Sequence, residues 1–129
     1  MPTKTVQIET KMGDGFTIES QVGKHLMKID QPEAAGGKDE GPNPLQYFLL
    51  SLAGCISAIS RIAANQKKIP LRGISLKIEG EMNTDGLLGK NTDARVGFSS
   101  INVIADIDAD MTDEEKKEFI ELVDSRCPV

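Results

Sequence analysis

Apolar and polar residues alternate along residues 3–10, with Val6 and Ile8 on one face and Thr5, Gln7 and Glu9 on the other. That period of two predicts a strand. Gly13-Asp14-Gly15 is a turn signal, and short runs from Phe16 to Ser20 and from His25 to Asp30 complete a predicted N-terminal antiparallel meander. Residues 31–43 are rich in Gly, Pro and charge and read as a loop. The period then changes. Asn43 is a good N-cap and Pro44 suits the first helical position. Leu45, Phe48, Leu49, Leu52, Ile56, Ile59 and Ala63 recur at spacings of three and four. Gln66-Lys67-Lys68 puts cations at the negative end of the helix dipole, and Pro70 ends the run. Few polar residues fall between 45 and 60, so this helix is expected to be covered on most sides.

Alternation returns at Ile74, Leu76 and Ile78, set against Ser75, Lys77 and Glu79, a half-buried strand. Residues 81–95 read as a Gly- and Asn-containing loop, and Val96 to Ile107 as a strand long enough to pair with residues 73–80. Thr112 and Glu115 form a capping box that opens a helix to about Val123, with Phe119, Ile120, Leu122 and Val123 on its apolar face. Strand blocks separated by single helices predict an α+β fold, antiparallel sheets with helices packed on them.

The length of 129 residues suits one domain spanning 1–129. With four Phe, one Tyr and no Trp, the core must come from aliphatic residues. A net charge of −5 argues against nucleic acid and against anionic lipid as partners. The N-terminus lacks the apolar core of a signal peptide, and the uncharged stretch from Gly41 to Ser60 reads as a buried helix rather than a membrane span. The expected compartment is the cytoplasm, where two cysteines serve as thiols or as a cycling pair.

Candidate chemistry narrows to those cysteines. One His and two Cys do not make a zinc site, and His25 reads as a partly exposed strand residue. Neither Gly36-Gly37 nor the loop at 86–89 matches a phosphate-binding pattern. The acidic cluster from Asp106 to Glu115 lacks the ligand spacing of a calcium loop. Cys55 lies in the apolar helix, one turn from Leu52 and Ile59, and taken alone reads as a small hydrophobe. Cys127 precedes Pro128. If Pro128 begins a further helix, Cys127 sits at its N-terminus beside Arg126, and both features favour a thiolate; the plainer reading is an exposed tail cysteine.

Gly41-Pro42-Asn43-Pro44-Leu45-Gln46, followed by Leu49-Leu50-Ser51-Leu52-Ala53-Gly54-Cys55, resembles the central helix of the OsmC/Ohr family, and Cys127-Pro128-Val129 resembles its second-cysteine motif. The resemblance implies an OsmC-like fold, antiparallel sheets around a long central helix in an intertwined homodimer, with the cysteines meeting at the dimer interface. It implies thiol-dependent reduction of organic hydroperoxides, with Cys55 as the peroxidatic thiol and Cys127 as its resolving partner. A lipoyl-type dithiol would reset the pair, and no metal, flavin or haem is implied.

Three departures from the family's peroxidase pattern accompany the match. The first arginine is Arg61, so no Arg from the N-terminal strands steadies the thiolate. Leu45, followed by Gln46, stands where the peroxidases carry Glu. An apolar helix disfavours a thiolate unless a cation or dipole offsets it, and Gln46, Lys24, Lys28 and Arg126 are the supporting residues available. Family members also continue past the second-cysteine motif, so the resemblance implies either a chain truncated at Val129 or an absent tail. The alternative is a catalytically weakened OsmC-like dimer that binds a small hydrophobic ligand or responds to redox state.

Overall fold

A computed structural model describes residues 2–89 and 96–128. Residues 90–95 of the expected loop at 81–95, and Val129 of the second-cysteine motif, lie outside the described residues. The chain forms two compact units that divide between Phe48 and Leu49.

In the first unit, β1 (Glu9–Met12), β2 (Ile18–Val22) and β3 (His25–Ile29) form the expected antiparallel meander in the order β1-β2-β3. Gly23 and Lys24 close the β2–β3 hairpin between the paired Val22 and His25, and Gly23 takes φ +59, a conformation that suits glycine. That turn also explains why β1 is shorter than the alternation in residues 3–10 predicts. Glu9 pairs with Gln21, one residue before β2 ends, so residues preceding Ile8 have no β2 residue opposite them in this sheet. Val6 is left 78% exposed.

The loop that follows β3 is ordered by Asp30, whose side chain is fully buried. Its carboxylate accepts from the Thr17 hydroxyl (2.9 Å), the Gln31 amide (2.7 Å) and the Glu40 amide (3.2 Å). Burial pushes the Asp30 carboxyl up. The Gln31 amide, the Thr17 hydroxyl and the amides of Glu40 and Lys38 outweigh burial and hold it below the usual carboxylate range. A short 3₁₀ turn, Glu33–Ala35, sits within the loop. Gly41 packs so closely on the Lys28 carbonyl that a Cβ there would strike backbone.

α1 (Pro44–Lys67) starts at the end of the first unit and runs into the second. Its start is a reciprocal cap: the Gln46 amide donates to Asn43 Oδ1 (2.8 Å), and the Asn43 amide donates to Gln46 Oε1 (2.9 Å). Its end is a Schellman-type stop. The Ile69 amide donates to the Ala64 carbonyl (2.8 Å), with Lys68 in the left-handed region at φ 58.

The second unit adds β4 (Gly73–Met82), the single turn α2 (Thr84–Leu87), β5 (Phe98–Asp108) and α3 (Asp113–Arg126). β4 and β5 pair antiparallel from Gly73↔Asp108 to Met82↔Phe98. β4 alternates in burial as its sequence predicts. The core is aliphatic apart from Phe119: Ile56, Ala63, Ala64, Leu71, Ile107, Ala109 and Val123 complete it. Ala63 and Ala64 are fully enclosed in it. Ser60 is buried with them, and its hydroxyl donates to the Ile56 carbonyl (2.7 Å).

The expectation that α1 is covered on most sides is not met within one chain. Only Ile56, Ser60, Ala63 and Ala64 are buried, while Leu50 is 60% exposed and Ile62 45% exposed. In this unit the core lies along a single stripe of the helix. The outward run of β5 is apolar as well, with Ile104 60% exposed. By length and composition α1 is apolar enough to cross a membrane, yet its buried stripe is part of this protein core.

Candidate active site: a cysteine pair

Cys55 is placed by α1, one residue before the buried Ile56. Cys127 is placed by α3. The Thr112 hydroxyl accepts from the Glu115 amide (3.2 Å) and the Glu115 carboxylate accepts from the Thr112 amide (3.0 Å), the capping box expected from sequence. The Thr112 amide, with the Thr112 hydroxyl beside it, holds the Glu115 carboxyl below its ordinary range. From that start α3 runs through the buried Phe119 and Val123 and closes on Cys127, whose amide donates to the Asp124 carbonyl (3.4 Å).

The two sulfurs, 72 residues apart in the chain, lie 2.7 Å from each other. Both cysteines are half-buried thiols, not joined in a disulfide, and Cys127 packs against the hydrophobic core. A covalent S–S bond is about 2.05 Å, so little movement separates the thiol pair from a bridge. The contact forms within a single chain.

The supporting residues are distributed otherwise. Cys127 is the C-cap of α3, at the carbonyl end of that helix. Arg126 directs Nη1 to Gln66 Oε1 (3.0 Å), near the end of α1. Gln46 is engaged in the α1 cap. Lys24 lies in the β2–β3 turn and Lys28 in β3, both in the first unit, whereas the thiols belong to the second. Sequence reasoning missed Gln66, which carries no local signal. It also missed the Asn43–Gln46 reciprocity, for which Asn-x-x-Gln at a helix start was the available sign.

A cleft of about 260 Å³ opens between α1, β5 and α3. Ile56, Val103, Ala105, Ile120 and Val123 line it, with Glu121 and Asp124 at its polar part. It adjoins the cysteine positions through Ile56, next in chain to Cys55, and through Asp124, whose carbonyl receives the Cys127 amide.

Among the described residues no group of three or more His, Cys, Asp or Glu is arranged to hold a metal. The acidic cluster has structural partners. Arg72 bridges Asp108 (2.8 Å) and Asp110 (3.2 Å), and Glu115 serves the α3 cap.

The sequence model of the OsmC-like protein family matches residues 37–129, a span that includes both cysteines and the helix between the two units. This chain belongs to the OsmC-like family. Its α+β architecture of antiparallel sheets and helices follows that family's fold. The hydroperoxide reductase of Mycoplasma genitalium is 35% identical to it over 126 residues, covering 97% of this chain and 84% of the relative. The hydroperoxide reductase of Mycoplasma pneumoniae is 32% identical over 89 residues, covering 69% of this chain and 60% of the relative. The crystal structure of an OsmC-like protein from Mycoplasma pneumoniae superimposes with a TM-score of 0.82 at 25% identity, covering 97% of this chain and 84% of that one.

Proposed function

We propose that this protein is a thiol-dependent reductase of organic hydroperoxides that works through the Cys55–Cys127 pair. The observation that carries the reading is the 2.7 Å approach of the two sulfurs within one chain. The family match and the two hydroperoxide reductases among its relatives support the substrate class.

In the reaction, the Cys55 thiolate attacks the outer oxygen of ROOH. The O–O bond breaks, the hydroxyl oxygen stays on sulfur so that Cys55 becomes a sulfenic acid, and the departing alkoxide takes a proton from solvent and leaves as ROH. The Cys127 sulfur then attacks the Cys55 sulfur and expels water, forming a disulfide. A dithiol of the lipoyl type reduces that bridge by exchange, returning two thiols and leaving as its own cyclic disulfide. Every redox equivalent is carried by sulfur, so the cycle needs no metal or organic cofactor. The apolar cleft beside the pair offers the organic group of the peroxide a dry surface.

The working unit in this reading is a single OsmC-like domain in a cytoplasmic homodimer. Exposed Leu50, Ile62, Val103 and Ile104 are the apolar surface a second copy would cover.

Stopped-flow consumption of an organic hydroperoxide tests the reading. Wild type should lose two thiols per chain at one equivalent of peroxide and regain them with dihydrolipoamide, while Cys55→Ser should lose the reaction. Peroxide consumption by Cys55→Ser as fast as by wild type sinks it. The alternative, a weakened dimer that binds a small hydrophobic ligand, draws on Leu45 in the Glu position and on the cleft. Slow turnover with saturable ligand binding would favour that alternative, and fast turnover would remove it.

A further inference from the structure

We infer that the Gln66–Arg126 hydrogen bond is a positioning latch that holds Cys127 at Cys55 for disulfide closure. The inference rests on the reading of the two cysteines as a redox pair. α3 stops at Arg126, and Cys127 follows immediately as its C-cap. A helix end is where a backbone frays, and the bond from the Cys127 amide to the Asp124 carbonyl is long, at 3.4 Å. Val123 anchors the preceding turn in the core. Beyond it, Ser125 is exposed, and its hydroxyl returns to the Leu122 carbonyl (2.6 Å) within α3 itself. Arg126 is different. Its Nη1 reaches across 60 residues of sequence to Gln66 Oε1 at 3.0 Å, near the end of the helix that carries Cys55. The residue next to one sulfur is thereby tied to the element that bears the other.

Closing a bond between two side chains depends on how often they meet, and a tie that limits one partner's excursions raises that frequency. An exposed hydrogen bond from a charged donor is worth a few-fold in such an equilibrium, so loss of the latch should lower the effective concentration of the thiols about three- to tenfold. Gln66 is neutral, which makes it the informative residue: Gln66→Ala cuts the tie without changing charge at the pair. Arg126→Ala cuts the tie and also removes a cation beside Cys127.

The experiment is equilibration of the full-length reduced protein in a dithiol redox buffer, with the Cys55–Cys127 disulfide quantified by mass spectrometry after acid quench. The expected result is a three- to tenfold lower effective concentration for Gln66→Ala and at least as large a loss for Arg126→Ala. The double variant should be no worse than Arg126→Ala alone, and Gln66→Glu, which adds charge to the tie, should match or exceed wild type. Folding of each variant is checked by circular dichroism, so a collapsed variant is identified, and should Gln66→Ala collapse, an unchanged value for folded Arg126→Ala would overturn the latch. An unchanged value for folded Gln66→Ala, or losses that simply add in the double variant, would overturn the latch. A second readout, the fraction of Cys55 carried on to sulfinic acid at excess peroxide, should rise in Gln66→Ala because a slower partner leaves the sulfenic acid exposed longer. If the pair does not reduce peroxide at all, this second readout stays silent while the redox-buffer equilibrium still reports on the latch, so the two failures are distinguishable.

Discussion

Oxidising the cysteine pair should stabilise the fold by an amount set by the chain between the two sulfurs. Cys55 and Cys127 are 72 residues apart, so a bridge between them closes a long loop in the unfolded chain. The chain-entropy relation gives about 15 cal/mol/K for a loop of that length, or about 4.4 kcal/mol at 25 °C as the entropic limit, while disulfides commonly deliver about 2–4 kcal/mol. Unfolding entropy of about 2.1 cal/mol/K per residue over 129 residues amounts to about 0.27 kcal/mol/K. The oxidised protein should therefore melt about 7–16 °C above the reduced one. By the same cycle, 4.4 kcal/mol corresponds to folding raising the effective concentration of the thiols by about 1,700-fold. The assay is a thermal or urea melt of protein treated with one equivalent of peroxide against protein kept in reductant, with Cys127→Ser as control, which should show no gain. Electrophoresis without reductant must show a monomer-sized chain. An oxidised protein no more stable than the reduced one, or a covalent dimer as the main product, would refute the claim that the two sulfurs of one chain meet.

Three further outcomes follow from the α3 cap and the buried carboxylate. Thr112→Ala removes the α3 capping box and should cost about 1 kcal/mol, seen as a melting temperature lower by about 4 °C. The Glu115 carboxyl is held below its ordinary value, so its contribution is complete above the unfolded value near 4.3 and is lost as pH falls through the lower folded value; an acid melt series in which Glu115→Gln shows the same pH dependence as wild type would contradict this. Asp30 obeys the same sign. Its carboxyl is held low in the fold, so protection of the Gln31 and Glu40 amides it receives should persist above about pH 3.9 and be lost as pH falls through the lower folded value, while Asp30→Ala, which removes both acceptor oxygens, should show fast exchange at those two amides across the whole range by hydrogen-exchange NMR.

What the amino-acid order determined by itself is local. The Thr112–Glu115 box, the start at Asn43-Pro44, the stop before Pro70 and the alternation of β4 are short-range signals, because each depends on hydrogen bonds or faces within a few residues. The two cysteine motifs were legible for the same reason, as short strings at a recognisable separation. Three features were decided only by the tertiary structure. β1 is cut to four residues because β2 turns at Gly23, a matter of what lies opposite rather than of residues 3–10 themselves. The roles of the polar candidates could not be assigned from sequence: Gln46 caps a helix, and Arg126 finds Gln66 across 60 positions. Whether Cys55 and Cys127 meet depends on how α3 lies in the core with α1, a packing outcome of Ile56, Ala63, Phe119 and Val123 that no local pattern encodes.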